Sequence, residues 1–142
     1  MLDQRFSDSR PKVLSDLRGY DKKLWLKMRS KECPGIAVGH FESSDRLAYA
    51  VLLVPKAADK AGYKILVLSK LSREYAATLL DQSKGTDESL VISKVPPGRY
   101  SEFGDEKSVR LRLDGVNVEW LEKSSTLYHW SKGKYQNIPT SD

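Results

Sequence analysis

A chain of 142 residues, 39% of them hydrophobic, has the length of one domain that buries its own core, and residues 1–142 are read as such. Its longest apolar run, Leu47 to Pro55, has the length of a strand and falls well short of the roughly 20 residues a membrane-crossing helix needs. The single cysteine, Cys33, excludes an internal disulfide and a cysteine-rich zinc site, and the net charge of +5 sits within residues 1–31, because the other 111 residues hold fifteen charges of each sign.

Residues 1–12 are polar and aperiodic, and read as loose. They contain no apolar stretch of signal-peptide type, which leaves two locations: periplasmic or secreted as a mature form, or cytoplasmic. Leu14, Leu17, Leu24, Trp25 and Met28 then recur at helical spacing over residues 13–32. Gly19 interrupts them, so two short helices or one weakened helix are expected. Asp21 is placed to cap the second piece, which runs to about Lys31 before Cys33-Pro34-Gly35 stops it. Cys33 itself reads as a small buried residue.

From Ile36 the apolar period changes to two, and residues 36–138 read as a β-rich body. "IAVGHF", "RLAYAVLLV", "YKILVLSK" and "SLVISKV" read as strands, the second buried on both faces. "SREYAATLLDQ" fits a short helix or an irregular strand. Pro96-Pro97-Gly98 reads as a stop. In "VRLRLDGVNVEW" the Asp114-Gly115 pair separates two alternating runs and predicts a two-residue hairpin. Its register would pair Leu113 with Val116, Leu111 with Val118, Val109 with Trp120, and Arg110 with Glu119 as a cross-strand ion pair. A second hairpin turns at Lys132-Gly133, setting Trp130 opposite Tyr135, Tyr128 opposite Asn137, and His129 opposite Gln136. The expected fold class is α+β, with an N-terminal helix or helices packed on a mostly antiparallel sheet of about seven strands.

The stretch "IAVGHFESSDRLAYAVLLV" resembles the strand-loop-strand unit of FG-GAP or VCBS-type repeats, and the ending "STLYHWSKGKYQNIPTSD" resembles the terminal hairpin of small bacterial exported proteins that carry one such unit. The resemblance implies an extracytoplasmic β-rich protein without known enzymatic activity. It also implies a loop that in the family binds calcium through alternate oxygen ligands. Laid onto that pattern, His40 takes the first aspartate position, Glu42 and Ser44 the next ligand positions and Ala48 the last aspartate position, with Asp45 where the family has glycine. With three carboxylates missing, the loop is expected to be a turn into the central strand without a metal.

Little else carries chemistry. His40 and His129 are the only imidazoles. The paired acids Asp87-Glu88 and Asp105-Glu106 lie in loops and read as solvated surface. No nucleophile elbow, phosphate-cradling glycine loop or zinc-protease motif is present, and no catalytic group or cofactor is expected. The basic helix with Lys22, Lys23, Lys27, Arg29 and Lys31 could lie on an anionic membrane with Trp25 and Leu26 inserted, or bind nucleic-acid phosphates. Alternatively Leu24, Trp25 and Met28 pack on the sheet. The aromatics Trp130, Tyr135 and Tyr128, beside Lys132 and Lys134, would form a partner surface if exposed and core if buried; Trp130 and Tyr135, next to a turn, lean to surface, and these five residues are the expected partner-binding site. The leading expectation is a non-catalytic binding protein of the bacterial envelope, in its most concrete form an inhibitor or immunity-type protein capping a toxin or hydrolase. A nucleic-acid or anionic-membrane binder is the second reading, and a hydrolase using His40 with Glu42 the third.

Overall fold

The structure, a computed structural model, describes residues 6–29, 32–86, 88–104 and 107–141. Its strands are β1 (Ser9–Pro11), β2 (Ile36–Ser43), β3 (Arg46–Pro55), β4 (Tyr63–Leu71), β5 (Glu74–Ser83), β6 (Leu90–Val95), β7 (Gly98–Ser101), β8 (Ser108–Leu111), β9 (Gly115–Trp120), β10 (Ser124–Ser131) and β11 (Lys134–Ser141). One α-helix, α1 (Gly19–Arg29), follows a 3-10 turn at Leu14–Asp16.

The α+β expectation is thereby corrected. Strands make up 58% and helix 11%, and the described residues form eleven strands in three sheets rather than about seven in one. Three segments account for the change. Ser9–Pro11, in the stretch read as loose, pairs with β3 at Leu53–Pro55. The ambiguous "EYAATLLDQS" is strand β5 along the free side of β4. Gly98–Ser101, just past the expected stop, pairs with β8. On the helical side, the first apolar group, Leu14 and Leu17, yields only the 3-10 turn, which Asp16 holds by accepting the Val13 N–H at 2.8 Å.

The first sheet runs β1-β3-β4-β5, with β2 also on β3; the second runs β11-β10-β9-β6; β7 and β8 form a separate ribbon. The two larger sheets face each other. Phe41, Ala50, Leu52, Ile65 and Val67 from the first meet Leu90, Ile92, Val116 and Val118 from the second in one buried cluster. Alternation along each strand places these residues on a common face.

The outer faces differ. On the second sheet, Trp25 of α1 is buried with Leu17, Val91 and Leu121, and its indole N–H donates to Glu32 O at 2.9 Å. On the first sheet, register aligns Ile36, Val51, Leu66 and Leu79 in one row, and Val38, Tyr49, Leu68 and Ala77 in the next. The row centres are buried, with Phe6 packed among them, whereas Val38 and Leu79 at the margins are 42% and 47% exposed.

The Asp114-Gly115 hairpin does not form. β8 pairs with β7, and β9 pairs with β6 and β10, so Val118 lies beside Ile92 and Thr126 instead of Leu111. Both residues of the dipeptide have other work. A Cβ on Gly115 would lie 2.7 Å from Leu111 Cδ2 and 2.8 Å from Leu127 Cδ1, so close packing demands the glycine. Asp114 accepts the His40 N–H at 2.8 Å through its side-chain Oδ2 and donates its backbone N–H to His40 O at 3.1 Å, so one residue satisfies both backbone groups of His40 within β2. The second hairpin does form, with Trp130 opposite Tyr135 and His129 opposite Gln136. Lys132 and Gly133 both have positive φ, 56° and 78°, as a type I′ turn requires.

Candidate functional site: a lysine-lined cavity

The residues singled out from the sequence fall in separate places. β2 and β3 are joined by the two-residue turn Ser44-Asp45, with Ser43 opposite Arg46. Its would-be ligands point apart. The His40 imidazole Nδ1 lies 3.9 Å from Asp114 Oδ2. The Glu42 carboxylate accepts the Tyr135 hydroxyl at 2.6 Å, and burial, reinforced by that carboxylate, pushes the Tyr135 phenol well above the usual tyrosine range. Ser44 sits in the turn itself. Among the described residues, no group of three or more His, Cys, Asp or Glu could hold a metal ion. His129 is buried in β10, and desolvation holds its imidazole below the usual histidine range.

The C-terminal aromatics turn inward. Tyr128 and Tyr135 pack against the main core, and Trp130 meets Tyr135 edge to face at 4.9 Å. Lys132 and Lys134 project from the hairpin tip into solvent. Trp120 is half-buried against Tyr63, ring centroids 5.8 Å apart. Glu119 is opposite Val91 and Ser125, not Arg110, and burial raises its carboxyl above the usual range.

On α1, Lys22, Lys23 and Lys27 are exposed and Arg29 is half-exposed, its Nε 3.9 Å from Glu32. Trp25 is 1% exposed, which removes it from the membrane-inserting face expected of it; Met28, expected to pack, is exposed instead. Lys31, Asp87, Asp105 and Glu106 lie outside the described residues.

A different feature stands out. Where β3 turns into β4, the loop 56–62 borders, with the end of β5 and the residues Asp8 and Ser9, a cavity of about 730 Å³ that is open to solvent on one side. That size lies within the range of roughly 300–1,000 Å³ typical of small-ligand sites. Local bonds shape the rim: Lys56 N–H donates to Asp8 O at 2.9 Å, and Lys60 N–H to Ala57 O at 3.1 Å. Gly62 takes φ +119°, and a Cβ there would stand 2.9 Å from Ser83 O, so the loop reaches the β5 end only with glycine at this position.

The lining is one-sided in charge. Lys56, Lys60, Lys64 and Lys84 border the cavity, with Asp8 its only acid, while Leu53, Pro55 and Tyr63 supply apolar wall. None of the four lysines forms an ion pair with a described residue. Lys64 Nζ stands 6.0 Å from the Phe6 ring centroid. Four ammonium groups set against the single carboxylate of Asp8 repel one another and raise the local concentration of anions.

The sequence reading missed this site because it summed charge along the chain, and the segment after residue 31 sums to zero. The available signal was the spacing Lys56, Lys60, Lys64 across a turn containing Gly62. No family model, curated protein or solved structure matches the chain.

Proposed function

We propose that the protein is a binding protein for a phosphate-bearing organic anion, seated in the cavity between the β3–β4 loop and the end of β5. The observation that carries this reading is the set of four lysines without described acidic partners around one cavity of about 730 Å³. Phosphate suits it better than a single carboxylate, because it bears more charge and offers several acceptor oxygens to lysine ammonium groups. Leu53, Pro55 and Tyr63 give the organic part of the ligand an apolar surface. This reading departs from the leading expectation of a protein partner, and shares with the second, a nucleic acid or anionic membrane on α1, only the negative charge of what is bound.

Calorimetric titration with ATP and with pyrophosphate, at low and at high salt, tests the reading. Binding should weaken steeply with salt. The double substitution Lys56→Ala with Lys84→Ala should lower affinity about tenfold or more, each tenfold step corresponding to about 1.4 kcal/mol, with the melting temperature unchanged. Vesicles containing phosphatidylserine form the second arm: binding to vesicles but to neither soluble phosphate would identify the headgroup as the source of the anion. Absence of binding in every arm, or affinity unaffected by the double substitution, would overturn the proposal.

A further inference from the structure

Independently of the cavity, we infer that β5 is a self-association edge, and that its partner is β5 of a second copy of this chain, paired antiparallel about Ala77. β5 is an outer strand of its sheet, paired among the described residues with β4 alone, and is ten residues long. Such an edge leaves a row of backbone donors and acceptors unpaired on its free side, and proteins ordinarily blunt it with proline, lysine or brevity. This one has none of these: "EYAATLLDQS" contains no proline and no cation, and no charge between Glu74 and Asp81, and its one irregularity, the bulge at Leu80, lies beyond the Tyr75–Leu79 stretch.

The choice of a second copy follows from the residue order. Under a twofold axis at Ala77, Ala77 faces its own mate and Ala76 faces Thr78. Tyr75 faces Leu79 of the second copy, twice over. Tyr75 and Leu79 lie on the open outer face and are 40% and 47% exposed. An aromatic opposite an aliphatic side chain is a favourable cross-strand pair. No like charges meet, and Arg73 lies toward Asp81 of the second copy. Axes at Ala76, Thr78 or Leu79 lose the Tyr75–Leu79 pairs. The resulting sheet would be continuous across two copies, and its outer apolar rows would run through the junction.

Sedimentation of the full chain at rising concentration tests this first, with dimer as the expected species. Ala77→Lys sets two ammonium groups across the axis and should weaken association about tenfold or more, with the circular dichroism spectrum and melting temperature preserved. A Cys33→Ser background carrying Ala77→Cys is the second measurement. Directly opposed residues lie about 4.5–5.5 Å apart at Cα, within disulfide reach, so oxidised glutathione should yield a covalent dimer. Glu74→Cys in the same background should not. A chain that stays monomeric, a dimer indifferent to Ala77→Lys, or cross-linking equal at the two positions would each overturn the inference.

Discussion

The Tyr135 hydroxyl donates to Glu42 Oε2 at 2.6 Å, tying β11 to β2 across 93 residues of sequence. The phenol is half-buried against the core, so the bond is shielded from water. Tyr135→Phe keeps the ring contact with Trp130 and removes only the donor. It should destabilise the protein by about 1–3 kcal/mol, the cost of leaving a charged acceptor without its partner. Urea unfolding with an unchanged slope would report that loss; a difference smaller than experimental error would mean that solvent replaces the bond.

Tyr63 makes a related prediction on the alkaline side. Burial first, then the hydroxyl's bond to Asp81 at 2.9 Å, push its phenol up to about 12. An unfolded tyrosine loses its proton near 10. Between those values the unfolded state ionises and the folded state does not, so stability is whole below pH 10 and falls as pH rises toward 12. Tyr63→Phe should flatten that fall in thermal melts taken across the window. Tyr135, raised in the same direction, should add to it.

His129 sets the acid side. Desolvation lowers its folded pKa below the ordinary histidine value of 6.5. The unfolded chain therefore binds a proton that the folded chain refuses. The contribution is whole above pH 6.5 and is lost as pH falls through the lowered value. His129→Gln should remove that slope from a stability profile measured between neutrality and pH 5, while an unchanged slope would place its origin in the carboxylates.

The Asp114-Gly115 pair separates two mechanisms that look alike in sequence. Gly115→Ala should cost about 1–3 kcal/mol through crowding of Leu111 and Leu127. Asp114→Ala should cost about 1–2 kcal/mol through loss of the His40 N–H bond, and Asp114→Asn, which keeps an acceptor oxygen, considerably less. Were the pair acting as a local hairpin turn, Asn-Gly would be at least as stable as Asp-Gly and the packing term would vanish. Chemical denaturation of the three variants distinguishes these outcomes.

The two dipeptides show what the sequence discloses and why. Lys132-Gly133 was readable because hairpin register is local: two positive-φ residues and matched flanks settle it within a dozen residues. Asp114-Gly115 carried an equally strong signal and misled, since β8 found a partner in β7 and β9 found two in β6 and β10. β5 stayed ambiguous because it carries a bulge of its own: Leu80 is the extra residue between Leu79, opposite Leu66, and Asp81, opposite Ile65, and it breaks the alternation. The cavity was hidden for a further reason. Lys56 and Lys84 belong to different loops, and only the pairing of β4 with β5 brings the two together. The inward turn of Tyr128 and Tyr135 was one of two open readings, because aromatic residues serve surface and core equally well.

Lys12 donates its ammonium to Leu90 O at 2.8 Å and to Glu88 O at 3.3 Å, and is 1% exposed. Trp25 is enclosed by residues as distant as Leu121. On a ribosome these early residues emerge long before their partners exist. Lys12 must remain hydrated until Leu90, 78 residues on, has been made, and Trp25 stays incompletely covered until Leu121 follows, since contacts of long sequence separation form only once the intervening chain is available. These residues are made well before their partners and are among the last that can settle, so a chain stalled midway would present an exposed tryptophan beside a cluster of lysines to whatever quality-control machinery meets it first.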